Sequence, residues 1–142
     1  MITARWGLQR APVCARFRPV DAAIGIDLGG TKIEGVILAG DGRGVERTRI
    51  ATEQDGGYEH ILDRVAGLID ELRSRAGHTT HVGIGTPGSI SARDGTLKNS
   101  NTLCLNGRPL ADDLARKIGL AVHIENDANC FALAEARLGA AK

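Results

Sequence analysis

The sequence predicts an α/β domain with a mixed sheet, in which the elements follow the order β-β-β-α-β-α-β-α. Three observations lead to this fold class. Residues 24–51 contain three short runs in which apolar residues alternate with polar or small ones, and glycine-rich turns separate the runs, as in an antiparallel meander. Two later segments repeat apolar residues every three or four positions, which is typical of helices that cover a sheet. Each of these helices leads into another strand, and such a unit requires a right-handed crossover and parallel pairing.

The strands are predicted from alternation and from the turns that end them. The first run, 24–28, stops at Gly29 and Gly30, and the second stops at the turn 40–42. The third run has weaker alternation. The strands are therefore predicted at 24–28, 33–39, 45–51, 81–86 and 120–125.

The helices are predicted from their apolar stripes and their end signals. The first is predicted over 58–76, with a stop at Gly77. Pro109 opens the second because a missing N–H costs nothing at a helix start, and Gly119 ends it. A last helix is predicted over 126–138. Residues 88–107 are rich in Gly, Ser, Asn and Thr and are predicted to form a long loop, which in a compact domain is usually functional.

Composition indicates a soluble, globular chain and argues against several classes of function. The 142 residues are 42% hydrophobic and 25% charged, enough to bury a core. The net charge of +1 gives no general attraction to nucleic acid or to an anionic membrane, and no apolar run reaches the roughly 20 residues that span a bilayer. The three cysteines are widely spaced, which argues against a disulfide framework or a zinc knuckle and suits a reducing cytoplasm.

The first 21 residues differ from the rest of the chain. All the acidic residues lie at or after Asp21, whereas four arginines precede it. Residues 1–21 show no sustained period and are interpreted as an irregular amino-terminal extension, with a transit peptide as the alternative. Residues 22–142 are interpreted as one domain.

The first candidate site is the turn between the first two predicted strands, with the sequence Asp-Leu-Gly-Gly-Thr-Lys. Gly29 and Gly30 would let backbone N–H groups approach a phosphate with no side chain in the way. Thr31 adds a hydroxyl donor and Lys32 a charge, and Asp27 suits the water shell of Mg²⁺. The two glycines alone would indicate only a hairpin turn, but the whole hexapeptide favours phosphate binding.

The second candidate site is the junction that follows the last predicted strand, where Glu125, Asn126 and Asp127 stand together. In open α/β sheets, ligands lie beyond the carboxyl ends of the strands. A carboxylate there can accept a proton from a substrate hydroxyl. Asn126 or Asp127 is equally suited to cap the following helix, and one aspartate can do both.

The third candidate is the polar segment 98–102, which contains Asn101. Carboxamides both donate and accept hydrogen bonds, as sugar hydroxyls do. Taken alone, the segment is better explained as an ordinary polar loop, since Asn is a common turn residue.

Together, the three candidates resemble the amino-terminal half of the ROK sugar kinases, which belong to the hexokinase, actin and Hsp70 superfamily. The resemblance implies a ribonuclease H-like, actin- and hexokinase-type fold. Residues 87–106 look most like bacterial fructokinases, and residues 127–135 are similar to N-acetylglucosamine kinases. The motifs that carry the resemblance are Asp-Leu-Gly-Gly-Thr-Lys, Gly-Thr-Pro-Gly-Ser-Ile-Ser, Asn-Ser-Asn-Thr, Leu-Asn-Gly and Glu-Asn-Asp-Ala-Asn-Cys, in this order.

The resemblance implies a role for each candidate residue in an ATP-dependent, Mg²⁺-dependent phosphorylation of a hexose. Asp127 would be the general base that takes the proton of the sugar hydroxyl. Asn101, Asn126, Asp127 and Gly88 would form the sugar-binding set. Asp27 would belong to the magnesium network, and the first phosphate loop would consist of Gly29, Gly30, Thr31 and Lys32. Full-length members of the family suggest a homodimer, and the even charge balance of this chain predicts no nucleic-acid or membrane partner.

The chain departs from the family by stopping at Lys142. The family's second domain, with its second phosphate loop, adenosine pocket and Cys- and His-based zinc site, has no counterpart in the sequence, so zinc is not expected. We therefore expect a fragment of a kinase, or the product of a truncated gene, that is inactive alone. The alternative is a non-catalytic remnant or sugar-binding module. Fructose, mannose, glucose and N-acetylglucosamine all stay open as the sugar.

Overall fold

The computed structural model describes residues 22–38, 44–76, 79 and 81–126. The predicted last helix and Asp127 lie outside the described residues, as does the segment 1–21. The two helices are α1 (Tyr58–Ala76) and α2 (Leu110–Ile118), and short 3₁₀ turns cover Gln54–Gly56 and Leu103–Leu105. The strands are β1 (Ala23–Leu28), β2 (Lys32–Leu38), β3 (Gly44–Ala51), β4 (His81–Thr86), β5 (Ser89–Ile90), β6 (Leu97–Lys98) and β7 (Val122–Asn126).

Five strands form one mixed sheet in the order β3-β2-β1-β4-β7. The first three pair antiparallel, as the meander predicted. β4 then pairs parallel with β1, and β7 pairs parallel with β4. The predicted mixed sheet is therefore confirmed, and the parallel strands β1, β4 and β7 end at a common edge.

Both helices pack against the sheet and against each other. Alternate residues of β1 supply the sheet's contribution to the core, since Ile24, Ile26 and Leu28 are each no more than 3% exposed. Close packing also explains a glycine in β2: a Cβ on Gly35 would lie 2.5 Å from Leu72 Cδ1 of α1. Neither of the described helices is long and apolar enough to cross a membrane.

The observed boundaries match α1 and β4 as predicted and differ elsewhere by one or two residues. Gly119 ends α2 in the left-handed conformation, with φ of 76° and its N–H bonded to Ala115 O. β7 runs over Val122–Asn126, so the prediction that Asn126 begins the last helix is wrong, because this residue still pairs with Thr86.

The segment predicted as one long loop, 88–107, contains more structure than expected. β5 and β6 form a small antiparallel hairpin within it. The turn of this hairpin is held by Asp94, whose Oδ1 accepts hydrogen bonds from the backbone N–H and the hydroxyl of Thr96, at 3.1 and 2.8 Å. Two-residue strands are too short to leave an alternating pattern, so the sequence alone does not show them.

Candidate functional site

The carboxyl ends of the three parallel strands lie side by side, and a side-chain hydrogen bond joins β4 to β1. Thr86, the last residue of β4, is buried and donates from Oγ1 to the carbonyl of Leu28 at 3.1 Å. Thr86 is in register with Asn126, the last residue of β7. This edge therefore brings the first and second candidate sites next to each other, as is expected for the ligand-binding edge of an α/β sheet.

The turn between β1 and β2 is closed by its own backbone. The N–H of Gly29 donates to the carbonyl of Lys32 at 3.0 Å. Neither Gly29 nor Gly30 has a positive φ, so their value lies in close approach and not in a left-handed backbone. A Cβ on Gly29 would lie 3.0 Å from Lys32 O, and a Cβ on Gly30 would lie 3.4 Å from Thr102 Oγ1.

Hydrogen bonds from the segment that follows β3 hold the carbonyls of this turn. Thr52 Oγ1 donates to Gly29 O at 2.7 Å, and Gln54 Nε2 donates to Gly30 O at 3.0 Å. The backbone N–H of Thr52 donates to Thr31 O at 2.9 Å. Sequence reasoning missed Thr52 and Gln54. The only available signal was the run of three polar residues, from Thr52 to Gln54, directly after β3.

The exposed side chains of Asp27, Thr31 and Lys32 lie at or beside this turn. Asp27 is in register with Gly85 of β4, which is in turn in register with Glu125 of β7. Only a glycine therefore separates the two carboxylate residues across the edge. His123 Nε2 lies 3.1 Å from Glu125 Oε2.

This donor set fits a magnesium ion of the kind that accompanies a nucleotide. Mg²⁺ usually keeps several waters and takes one or two carboxylates together with substrate phosphates. Asp27 and Glu125 supply carboxylate oxygen atoms at the carboxyl edge of the sheet. Within the described ranges no three His, Cys, Asp or Glu side chains gather into a cage.

A cleft of about 780 Å³ runs along one face of the sheet. Several glycines of the strands line it, among them Gly25, Gly83 and Gly85. Its lining extends from His81 and Ala23 at one end of the strands to Asp27 and Glu125 at the other. Only the latter end reaches the carboxyl edge. The cleft is therefore a groove along the sheet face, and one end of it borders the candidate site at Asp27 and Glu125.

Gly88 shapes the start of the segment that follows β4. Its φ is +108°, and a Cβ there would lie 2.6 Å from Lys98 O and 3.1 Å from Ser100 N. Its carbonyl accepts a hydrogen bond from Asn126 Nδ2 at 2.7 Å. Two residues predicted to bind the substrate thus contact each other, and Gly88 acts here through its backbone.

A side-chain clamp orders the segment that contains Asn101. Asn106 accepts from the N–H of Ser100 at 2.8 Å through Oδ1, and donates from Nδ2 to Ser100 O at 3.1 Å. Ser100 Oγ accepts from the N–H of Thr102 at 3.1 Å. Asn101 itself is exposed, between these two anchored residues. Since Thr102 lies beside Gly30, the third candidate segment also borders the turn.

Comparison with known proteins identifies relatives that match most of this chain. The model of the ROK family matches residues 23–142. The N-acetyl-D-glucosamine kinase of Photobacterium profundum is 44% identical over 112 residues, and that of Escherichia coli K12 is 43% identical over 113 residues. Each match covers 79% of this chain and 37% of the relative, so the chain spans about two fifths of the length of these curated relatives.

Solved structures show the same fold. A ROK family glucokinase from Streptomyces griseus, in complex with glucose and AMPPNP, superposes with a TM-score of 0.75 and 32% sequence identity. That match covers 85% of this chain and 38% of the glucokinase. A ROK hexokinase from Thermus thermophilus gives a TM-score of 0.71 at 30% identity, with coverage of 82% and 39%. The hexokinase-type fold predicted from the sequence is confirmed.

Proposed function

Because the chain belongs to the ROK family, we propose that it supplies the amino-terminal part of an ATP-dependent, cytoplasmic hexose kinase. The observation that carries the proposal is the meeting of two candidate segments at one sheet edge. The glycine turn suited to phosphate lies beside Thr102, next to the exposed Asn101. A phosphoryl donor and a sugar acceptor bound to these segments would be neighbours, which transfer between them requires.

Each residue of the edge has a role in this reaction. Gly30 and Thr31 would bind the outer phosphates through their backbone N–H groups, while the N–H of Gly29 closes the turn on Lys32 O. Asp27 would hold a magnesium ion through its water shell, and that ion would neutralise charge on the phosphates. Asp127, the residue after β7, would accept the proton of the attacking sugar hydroxyl. This assignment rests on the family motif and on the place of Asn126 at the end of β7.

The relatives favour N-acetylglucosamine as the first sugar to test, since the curated proteins at 43–44% identity carry that activity in their names. Fructose, the reading suggested by residues 87–106, is the second candidate. Glucose is the third, because the Streptomyces griseus glucokinase was solved with it. Asn101 and Asn126 would contact sugar hydroxyls in each case, so these two residues do not indicate which of the three sugars is the substrate.

The test joins this chain to the part of the Photobacterium profundum kinase that lies beyond the matched region. ADP release is measured with N-acetylglucosamine, fructose, glucose and mannose, and the 142-residue chain is assayed in parallel. We expect sugar-dependent turnover in the chimera, none in the chain alone, and a loss of about 10²–10⁴-fold in Asp127→Asn with sugar binding retained.

Asn129→Asp is a matched control, because it alters a neighbouring polar residue to which no role is assigned. A folded chimera that binds a sugar but never releases ADP would contradict the kinase proposal and favour a sugar-binding module. An Asp127→Asn chimera within twofold of the parent rate would remove Asp127 from the mechanism.

A further inference from the structure

Four consecutive carbonyls at the β1–β2 turn, from Leu28 to Thr31, accept hydrogen bonds from outside the hairpin. The Thr86 hydroxyl donates to the first of them, Leu28 O. The side chains of Thr52 and Gln54 donate to the next two, and the backbone N–H of Thr52 donates to the last. A turn of this kind usually needs only its own closing bond. The additional donors therefore fix the orientation of each peptide unit in the turn.

The orientation that they impose concerns the N–H groups. In a trans peptide, the C=O and the N–H of one unit point in opposite directions. Since Gly29 O points at Thr52 and Gly30 O points at Gln54, the N–H groups of Gly30 and Thr31 point away from both. Two adjacent donors that point away from the groups holding the turn form the kind of backbone nest that binds an anion.

The donors are themselves held in place. Thr52 is fully buried, so its hydroxyl has no freedom to turn toward water. Glu53 lies between the two donors in the left-handed conformation, with φ of 56°, and its Oε1 lies 2.7 Å from His60 Nε2 in α1. Arg64, one turn further along α1, donates from Nε to Ala51 O at 2.6 Å. The segment Ala51–Gln54 is thus anchored on both sides to the helix.

We infer that Thr52 and Gln54 are positioning residues for phosphate: they hold the peptide units of the β1–β2 turn so that the N–H groups of Gly30 and Thr31 face the ligand. This inference rests on the proposed function, because it takes the turn as the phosphate site. It predicts that changes at Thr52 and Gln54 affect binding of the phosphate part of the donor and leave sugar binding unchanged. Both residues act through the backbone of the turn.

The direct test uses inorganic tripolyphosphate and the 142-residue chain, with the amide resonances of Gly30 and Thr31 followed by NMR. We expect tripolyphosphate to shift both amides in the parent chain. Gln54→Ala loses one hydrogen bond of about 1 kcal/mol, so the Kd for tripolyphosphate should rise about fivefold. Asp55→Ala, a change at the adjacent exposed residue, should leave the Kd within twofold. Thr52→Val should weaken binding more than Gln54→Ala does, and Thr52→Ser should restore it.

A second measurement uses the chimeric kinase. There, Gln54→Ala should raise the KM for ATP severalfold and change the KM for sugar less than twofold. Because Gln54 is exposed, this variant keeps the fold even if Thr52→Val does not. A parent chain whose Gly30 and Thr31 amides ignore tripolyphosphate would overturn the phosphate site and, with it, the inference. If the parent responds and Gln54→Ala binds tripolyphosphate as tightly as Asp55→Ala, the inference alone is wrong.

Discussion

Gly88→Ala should be among the most damaging single-methyl changes in this chain. Its φ of +108° disfavours any L side chain, at a cost of about 1–2 kcal/mol. The new Cβ would also lie 2.6 Å from Lys98 O and 3.1 Å from Ser100 N. Both neighbours are backbone atoms that cannot rotate away, so the segment itself must move, at about 1–3 kcal/mol. The two contributions give a loss of about 2–5 kcal/mol in the free energy of unfolding.

The assay is urea unfolding followed by far-UV circular dichroism, with Gly107→Ala as the matched control. Gly107 lies in the same segment and also has a positive φ, +80°, but a Cβ there would meet nothing within 4 Å. Gly107→Ala should therefore lower the free energy of unfolding only by the cost of the positive φ, about 1–2 kcal/mol. Because Asn126 bonds to Gly88 O, the Asn126 side-chain amide resonances should move in Gly88→Ala only. Equal destabilisation by the two variants would refute the argument that Gly88 is required for close approach.

Three further outcomes concern the core and the helix contacts. Tyr58→Phe removes a hydroxyl that donates to Asp113 Oδ2 at 2.6 Å and should lower the free energy of unfolding by about 1.5 kcal/mol, read from the urea midpoint. Burial, together with that hydrogen bond, raises the pKa of Tyr58 in the folded chain. The unfolded chain therefore loses the phenol proton at a lower pH than the folded chain does. The free energy of unfolding should fall as the pH rises above about 10 in the parent but not in Tyr58→Phe. Gly35→Ala forces a methyl against Leu72 Cδ1 and should cost about 1–3 kcal/mol in the same urea assay, whereas Gly83→Ala, where a Cβ meets nothing within 4 Å, should be nearly neutral.

The sequence predicted the parts of the fold in which local signals and tertiary packing agree. Helix α1 has an apolar stripe that is buried against the sheet, and its predicted bounds are those observed. The meander and the parallel crossovers followed from alternation, glycine turns and handedness, and the structure confirms them. The hairpin β5–β6 was missed because two residues per strand are too few to show alternation, which needs about four or more.

The candidate site was predicted only in part, for a physical reason. Motif residues such as Gly30 can be recognised because the residues that act with them are their immediate neighbours in the sequence. The residues that orient them do so through hydrogen bonds to backbone atoms more than twenty positions away, and backbone acceptors leave no mark on a sequence. Gln54 therefore reads as an ordinary polar residue after a strand. The roles of Asp27, Asn101 and Asp127 stay predictions, and Asp127→Asn in the chimera tests the last of them.

The strand order also sets how the domain can form as it leaves the ribosome. β1, β2 and β3 pair as soon as residue 51 has emerged, and β4 and β7 then add one after the other to the same growing side of the sheet. No strand has to be inserted between two that are already paired. Until β7 arrives, the open edge is β4, whose Val82 and Ile84 are buried in the complete sheet, and an apolar edge of this kind invites pairing with another chain. We therefore expect ribosome stalling between β4 and β7 to produce aggregation, whereas stalling after β7 leaves the described sheet complete.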